Sequence, residues 1–212
     1  MQHSHFLPVA VSAVAKHAAS QATAVDAWRL RGDAWRVVLA RYAGLPADAL
    51  PLTLDAYGKP HLTVPNAPDF NLSHSGGVVL LVIAHAVAPG VDVEALRPRP
   101  RALQLAQRFF TVDEAAALAA LPETDRQLAF YRLWTAKEAV LKALGHGLAF
   151  GLDRVGFRVE AGGAAVRPQQ FAGAAAPASG WQLHALAPVP GYLGALAWRG
   201  AARTVRLFCL SD

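Results

Sequence analysis

The feature that most constrains the fold is a continuous apolar run, Val78–Ala84, which is rich in β-branched side chains and has the length of one strand. Such runs are typical of strands buried on both faces. A Pro89-Gly90 pair then turns the chain into Val91-Asp92-Val93-Glu94. Because side chains alternate along a strand, Asp92 and Glu94 would share one face. The sequence therefore predicts a hairpin that presents two carboxylates together.

A long helix is predicted over residues 124–144, because apolar side chains recur there at helical spacing and Gly145 follows as a C-cap. At 100° per residue, Trp134, Glu138 and Lys142 fall on one stripe beside the apolar face. Glu138 would add a third carboxylate, and Lys142 an ammonium group. The alternative is an ordinary surface stripe in which Glu138 and Lys142 form an i, i+4 salt bridge.

The remaining pattern mixes helices and strands. Helices are predicted over 26–43, 101–110 and 111–121, and the third begins with a capping box formed by Thr111 and Glu114. Residues 45–75 and 161–179 are predicted to be loops and turns. Short strands are predicted over 155–159, 181–186, 192–197 and 204–209. With strands at both ends and helices in the middle, the predicted fold class is α+β.

Composition narrows the classes of partner. Of the 212 residues, 54% are hydrophobic and only 17% are charged, which argues for a well-buried globule and against a disordered chain. The formal net charge of +5 favours polyanionic partners. Because the sequence lacks zinc-finger spacing and an aromatic RNA-binding signature, we expect no nucleic-acid partner and keep a nucleic-acid binder only as an alternative.

The compartment is indicated by three further features. The single cysteine, Cys209, allows no disulfide within the chain, which fits a reducing compartment. The longest apolar run, residues 78–88, is too short to cross a bilayer. Neither Lys nor Arg precedes the apolar stretch 6–15, so a signal peptide is not expected. We therefore expect a cytoplasmic monomer without a membrane partner.

A site for a hard cation would lie between two rigid elements, the predicted strand and the predicted long helix. The strand would supply the carboxylates of Asp92 and Glu94, and the helix would supply the carboxylate of Glu138 and the ammonium of Lys142. Oxygen ligands of this kind suit Mg²⁺ and a phosphate-bearing substrate. Two adjacent carboxylates on one face repel each other unless a cation compensates. The alternative for Asp92 and Glu94 is the solvent face of an edge strand.

A glycine-rich strand entry, Asn71-Leu72-Ser73-His74-Ser75-Gly76-Gly77, is the third candidate element. Small polar residues in such a segment can direct backbone N–H and hydroxyl groups at a phosphate, although a simple turn is the alternative. Ser73 and His74 would point to opposite faces of an extended chain. His74 is therefore poorly placed to activate Ser73 as a nucleophile.

Five ordered motifs resemble the 4'-phosphopantetheinyl transferases of the surfactin-synthetase-activating type. The motifs are Gly58-Lys59-Pro60, Phe70-Asn71-Leu72-Ser73-His74-Ser75, Gly90-Val91-Asp92-Val93-Glu94, Arg108-Phe109-Phe110, and Trp134-Thr135-Ala136-Lys137-Glu138-Ala139 continuing through Lys142 to Gly145-His146-Gly147-Leu148. The resemblance implies two similar α+β halves related by a pseudo-twofold axis, with a coenzyme A cleft between them. We predict these halves at residues 1–95 and 96–212.

The resemblance also implies an enzymatic activity. Members of this family transfer the 4'-phosphopantetheine arm of coenzyme A to a serine of an acyl or peptidyl carrier protein, release 3',5'-ADP and require Mg²⁺. Coenzyme A and the carrier protein are thus the expected partners. Carried over to this sequence, the resemblance makes Asp92, Glu94 and Glu138 the metal ligands.

Further roles follow from the same resemblance. It places Lys59, Pro60, Ser73 and His74 near the adenine and phosphates of coenzyme A. It places Lys142 on the pyrophosphate, so that the predicted catalytic residues are Glu138 and Lys142. The proton of the carrier serine would pass to Glu138, directly or through a metal-bound water, and Glu114 is the other candidate base.

The N terminus departs from the family pattern. Related members carry several Lys or Arg residues in the first forty positions that engage the 3'-phosphate of coenzyme A, whereas residues 1–28 here hold only Lys16. Arg29, Arg31 and Arg36 are the available substitutes. The alternative function is therefore a catalytically weakened homologue that acts as a coenzyme A binding module.

Overall fold

The computed structural model describes residues 4–14 and 23–211, so Lys16 lies outside the described residues. The strands are β1 (Leu7–Val9), β2 (Ala24–Leu30), β3 (Leu52–Leu54), β4 (Pro60–Leu62), β5 (Asp69–Ser75), β6 (Val78–Ala84), β7 (Gly90–Ala95), β8 (Val155–Val159), β9 (Val166–Phe171), β10 (Trp181–Leu186), β11 (Tyr192–Arg199) and β12 (Thr204–Leu210). The α-helices are α1 (Ala34–Ala43), α2 (Ala102–Phe109), α3 (Val112–Ala120) and α4 (Glu123–Leu144).

Two sheets form the centre of the molecule. The larger sheet has the strand order β1-β12-β2-β6-β5, with β12 parallel to both of its neighbours and β6 antiparallel to β2 and β5. The smaller sheet is antiparallel and has the order β10-β11-β7. The hairpins β3–β4 and β8–β9 are separate two-stranded sheets.

The sheets and helices stack in four layers. Helix α1 covers the outer face of the larger sheet, where Val38 and Leu39 pack with Trp28 and Leu81. The inner faces of the two sheets pack against each other through an apolar cluster of side chains from β2, β6, β7, β10 and β11. Helix α4 covers the outer face of the smaller sheet and contacts β7 and β11. Burial of these apolar faces is the main force that holds the layers together.

Side chains of β5 join the two sheets at one edge. Asn71 Oδ1 accepts the N–H of Val91, and the hydroxyl oxygens of Ser73 and Ser75 accept the N–H groups of β7 residues Val93 and Ala95. These hydrogen bonds satisfy backbone donors of β7 on the side that faces away from β11. They fix the position of β7, and with it the predicted acidic residues, against β5.

Several predicted elements are confirmed. Strand β6 occupies the apolar run, and α4 covers the predicted helix and ends at Gly145, whose φ is 80°. Helices α2 and α3 occupy the two predicted segments, and the capping box of Thr111 and Glu114 is present. The mixed content of helices and strands confirms the α+β class.

The predicted helix over 26–43 is wrong over residues 26–33, nearly half of its length. The residues from Ala24 to Leu30 form β2, and the helix begins only at Ala34, although it ends at Gly44 as predicted. Strand β2 lies between β12 and β6 and is buried along nearly its whole length. A strand buried on both faces shows no period of two, so its apolar residues are easily mistaken for part of a helix.

The predicted loops are also wrong in part. Strands β3, β4 and β5 lie within 45–75, and β9 lies within 161–179. The polar residues of β5 bind the backbone of β7 and so serve as structural side chains in an ordered strand. In the β8–β9 pair the register shifts next to Phe157, which pairs with Pro168. Proline at such an irregularity is compatible with a strand, although it argues against one in the sequence.

The predicted β6–β7 hairpin is wrong, because β6 and β7 lie in different sheets. Both edges of β6 are already occupied by β2 and β5, so β7 finds its partner in β11. Strands also cross the boundary between 1–95 and 96–212: β7 lies in the smaller sheet and β12 in the larger one. The division into two halves stays a prediction. Among the described residues, no helix is long and apolar enough to span a membrane.

Candidate functional site

Strand β7 supplies two acidic side chains on the face that α4 covers. Val91 and Val93 point into the cluster between the two sheets, so Asp92 and Glu94 point the other way, as the alternation predicts. The Asp92 carboxylate is 5% exposed, and its Oδ1 accepts a hydrogen bond of 2.8 Å from the hydroxyl of Ser73. Glu94 Oε2 accepts a hydrogen bond from the Ser75 hydroxyl.

Helix α4 brings Trp134, Glu138 and Lys142 to the same place. The Lys142 ammonium lies 2.7 Å from Asp92 Oδ1 and donates a second hydrogen bond to the Ser73 hydroxyl at 3.0 Å. Lys142 therefore does not form the alternative i, i+4 salt bridge with Glu138, because its side chain reaches Asp92 on β7. Glu138 is left on the helix surface beside the two acids of the strand.

These side chains line one cleft of about 290 Å³. Its walls are formed by Leu72, Ser73, His74, Asp92, Val93, Glu94, Trp134, Glu138 and Lys142. A second cavity of about 300 Å³ lies on the opposite flank of α4, beside Arg132 and Thr135, but its described lining contains no carboxylate. The acidic cleft is therefore the candidate site, because it alone of the two combines acids with a cation.

The three carboxyl groups of the cleft all have raised pKa values, with burial as the largest cause of each. Burial, and then the charge of Asp92, raise the pKa of Glu138 to about 7, although Lys142 opposes the shift. Burial and Asp92 likewise raise the pKa of Glu94. Burial raises the pKa of Asp92 itself, while the Lys142 ammonium holds that rise in check. A bound cation would relieve this repulsion.

The donor set fits Mg²⁺, but the side chains are not drawn together around a metal position. Among the described residues, no group of three or more His, Cys, Asp or Glu side chains is close enough to hold an ion as it stands. Asp92 Oδ1 is instead occupied by Lys142. Asp92 Oδ2, however, is buried and has no hydrogen-bond partner among the described residues. A buried oxygen without a donor is the observation expected of a cation ligand.

The structure places the predicted coenzyme A residues in two locations. Ser73 and His74 line the acidic cleft, with Ser73 buried and His74 exposed, as expected for opposite faces of β5. Lys59 and Pro60 lie instead on the β3–β4 hairpin. The Lys59 ammonium donates hydrogen bonds to the carbonyls of Lys142 and Ala143 at the carboxyl end of α4.

Glu114 is closed off from the cleft by a complete set of partners. Its carboxylate accepts the N–H of Thr111 and of Phe157 and lies 2.7 Å from the ammonium of Lys137, and both ionic side chains are fully buried. Lys137 also donates to the carbonyls of Leu152 and Val155. Glu114 therefore has a structural role and is not placed to remove a proton from a substrate in the cleft.

Sequence reasoning missed two contributions to the site. The supporting role of Asn71, Ser73 and Ser75 could have been found from their spacing of two, which puts all three on one face of a strand. Arg99 follows β7, and its guanidinium lies 5.4 to 5.7 Å from the ring centres of Phe130, Tyr131 and Trp134. No pattern in the sequence indicates that placement, because it depends on how the connector after β7 returns to α4.

The family model and the curated relatives that match this chain carry the same description. A family model described as the 4'-phosphopantetheinyl transferase superfamily matches residues 88–190. The 4'-phosphopantetheinyl transferase HetI of Nostoc sp. is 38% identical over 117 residues, which are 54% of this chain and 49% of HetI. The 4'-phosphopantetheinyl transferase Sfp of Bacillus subtilis is 35% identical over 130 residues, which are 60% of this chain and 56% of Sfp.

A third relative covers a shorter stretch. The 4'-phosphopantetheinyl transferase AcpT of Salmonella typhi is 40% identical over 89 residues, which are 42% of this chain and 46% of AcpT. The chain thus spans about half the length of the curated relatives it matches. The family match includes β7 and α4, the two elements that carry the acidic cleft.

Proposed function

We propose that this chain is a member of the 4'-phosphopantetheinyl transferase superfamily, whose model matches residues 88–190, and that it transfers the 4'-phosphopantetheine arm of coenzyme A to a serine of an acyl or peptidyl carrier protein. The observation that carries the proposal is the cleft in which Asp92, Glu94, Glu138 and Lys142 meet. Acids and an ammonium in one cleft suit a phosphorylated substrate held through a divalent cation.

The acids would hold Mg²⁺ through Asp92, Glu94 and Glu138. The buried, unpartnered Oδ2 of Asp92 and the mutual repulsion of the three carboxyl groups support this role. When bound, Mg²⁺ would supply positive charge that offsets the negative charge of the pyrophosphate. Lys142 already contacts Asp92, so its ammonium would lie beside the same pyrophosphate.

The chemical step is a displacement at the β-phosphorus of coenzyme A. The serine oxygen of the carrier forms a new P–O bond, and the P–O bond to the departing 3',5'-ADP breaks. Glu138 would take the serine proton as the general base. Lys142 stabilises the charge that develops on the leaving pyrophosphate oxygen.

Coenzyme A would be oriented by residues around the same cleft. Ser73 and His74 line it and would contact the nucleotide phosphates. An ammonium has three N–H donors, and Lys59 directs two of them at carbonyls of α4. These bonds commit the Lys59 side chain to the helix end, and Pro60 on the same hairpin would lie next to the adenine side of coenzyme A.

The carrier protein would approach from the connector that follows β7. That connector and α2 carry Arg97, Arg99, Arg101 and Arg108, and Arg99 is held on the rings beside the cleft. Positive charge at this position would steer an acidic carrier towards Glu138. Carrier proteins of fatty-acid, polyketide and nonribosomal-peptide synthases are all candidate substrates.

The test is mass spectrometry of an apo carrier protein after incubation with coenzyme A and Mg²⁺. We expect the carrier to gain the mass of one phosphopantetheine group with the wild-type chain and not with Glu138→Gln. Glu123→Gln, an exposed glutamate in the first turn of the same helix, is the matched control and should remain active. Omitting Mg²⁺ should also abolish transfer.

Two outcomes would count against the proposal. Binding of coenzyme A without any mass gain, across a panel of carrier proteins, would indicate a coenzyme A binding module. Full transfer by Glu138→Gln would contradict the role of Glu138 while leaving the activity itself supported.

A further inference from the structure

The β3–β4 hairpin packs against the carboxyl end of α4, and its tip is organised by one carboxylate. Asp55 Oδ1 accepts the backbone N–H of both Tyr57 and Lys59, and the Asp55 N–H in turn donates to the Lys59 carbonyl. The tip therefore has a defined geometry. The side chain of Lys59 leaves it in the direction of the helix end.

Lys59 donates to the carbonyls of Lys142 at 2.9 Å and of Ala143 at 3.3 Å. Both carbonyls belong to the last turn of α4, and that of Lys142 also accepts the N–H of the C-cap residue Gly145 at 3.2 Å. A cation is favourable at this end of a helix because the backbone dipoles leave negative charge there. The charges of Asp69 and Asp55 also act on the Lys59 ammonium, but its hydrogen bonds go to the helix end.

Two more contacts hold the hairpin against the turn after α4. The Tyr57 ring stacks on the imidazole of His146, with 4.8 Å between ring centres and 19° between planes. A Cβ at Gly145 would lie 3.4 Å from Asp55 Oδ2 and 3.7 Å from Lys59 Cδ. The hairpin thus touches the helix end along its whole tip and not through one side chain alone.

Lys142 is the residue that this arrangement controls. Its carbonyl is bound by Lys59, while its ammonium reaches 2.7 Å from Asp92 and 3.0 Å from Ser73 on the other side of the cleft. A lysine side chain has four rotatable bonds, so the ammonium is placed accurately only if the backbone that carries it is fixed. Lys142 lies in the last turn of α4, where helices fray most readily.

We propose that Lys59 is a positioning residue, which caps the carboxyl end of α4 and thereby holds Lys142 in place against Asp92. The proposal rests on the proposed function, because it assigns Lys142 to the pyrophosphate. A positioning role and a role as a coenzyme A ligand predict different kinetic effects. A ligand of the ground-state phosphate affects chiefly the KM for coenzyme A, whereas a residue that aims Lys142 affects chiefly kcat.

The experiment compares Lys59→Met, which keeps the apolar stem, with Lys59→Arg, which keeps the charge. For Lys59→Met we expect kcat to fall roughly tenfold to a hundredfold, as for other misplaced catalytic groups, with the KM for coenzyme A within about twofold. Lys59→Arg should recover part of kcat. Leu54→Gln, at an exposed position of the same hairpin, is the matched control and should behave like the wild type.

A second measurement needs no substrate. Amide hydrogen exchange in the segment 143–147 should be faster in Lys59→Met than in the wild type or in Leu54→Gln, while exchange in the middle of α4 is unchanged. Unchanged exchange in 143–147 would overturn the proposal, whatever happens to the KM. Faster exchange with an intact kcat would overturn the link to Lys142. If the wild type shows no transfer, the proposed function fails, and the exchange result still decides whether Lys59 caps the helix.

Discussion

Two lysines of α4, Lys137 and Lys142, form ion pairs that differ in burial: the first pair is fully buried, and the second lies at the cleft. At 100° per residue the two side chains leave the helix about 140° apart. Lys137 points into the protein and meets Glu114, and Lys142 points into the cleft and meets Asp92. In each pair the nitrogen and oxygen are 2.7 Å apart. The distance alone therefore does not distinguish a structural pair from a functional one.

The surroundings of the pairs do distinguish them. Around Lys137 and Glu114 every polar atom has a partner, because the carbonyls of Leu152 and Val155 and the N–H groups of Thr111 and Phe157 complete the network. Such a network ties α3, α4 and β8 together. Buried charges are tolerated when they are paired and fully hydrogen-bonded.

Around Lys142 and Asp92 the network is incomplete. Asp92 Oδ2 has no partner among the described residues, and the charge of Lys142 only partly offsets the repulsion between Asp92, Glu94 and Glu138. Lys142 is itself partly exposed, with 26% of its side chain accessible. The lesson is that an incomplete network of buried charges next to a cleft marks a place where a ligand completes it.

The largest expected effect is the loss of stability when the complete network is broken. Lys137→Met leaves the Glu114 carboxylate buried without its cation, so we expect the free energy of unfolding to fall by about 3–5 kcal/mol. Urea unfolding followed by circular dichroism measures it. Adding Glu114→Gln should recover a good part of the loss, because the buried charge is then gone. A change below about 1 kcal/mol for Lys137→Met would show that the buried pair is not what holds α3 to α4.

The opposite result is expected for the incomplete network. Lys142→Met should lower kcat by roughly 10²–10³-fold, which corresponds to about 2.7–4 kcal/mol of lost transition-state stabilisation. The free energy of unfolding should fall by less than for Lys137→Met, because the Lys142 side chain is 26% exposed and Asp92 keeps the hydrogen bond from Ser73. Steady-state kinetics and urea unfolding on one preparation test both statements. A large loss of stability with intact kcat would reverse the assignment of the two lysines.

Much of this comparison could be predicted from the sequence, because it depends on one helix. The period of α4, its end at Gly145 and the shared stripe of Glu138 and Lys142 are local properties, and the capping box of Glu114 is set by a spacing of three. The alternation that turns Asp92 and Glu94 to one face is equally local. These local signals identified the acidic residues and the lysine that line the cleft.

The partners of these residues could not be predicted in the same way. Lys142 was expected to pair within its own helix or with a substrate, whereas it binds Asp92, a contact between residues 50 positions apart. Strand β7 was expected to pair with β6 but pairs with β11, about a hundred residues further along the chain. Such contacts depend on which strand edges remain free after the sheets form, and periodicity carries no information about them.

The smallest expected effect concerns the response of the incomplete network to pH. The pKa of Glu138 is raised by burial from its ordinary value of 4.5 to about 7, so the folded protein binds more protons than the unfolded chain between these values. Stability contributed by this group is therefore lost as the pH rises from about 5 to 7. Discounted for partial solvation, the effect should be roughly 1 kcal/mol between pH 5.5 and pH 8. Thermal unfolding without Mg²⁺ across this range should show this effect as the difference between the wild type and Glu138→Gln, since the amide does not titrate.

Mg²⁺ should reverse the trend, because it binds the ionised carboxylates and stabilises the folded state most above pH 7. Equal pH profiles for the two proteins would mean that Glu138 is not held among like charges, and the contrast with the fully satisfied Lys137 pair would then be lost.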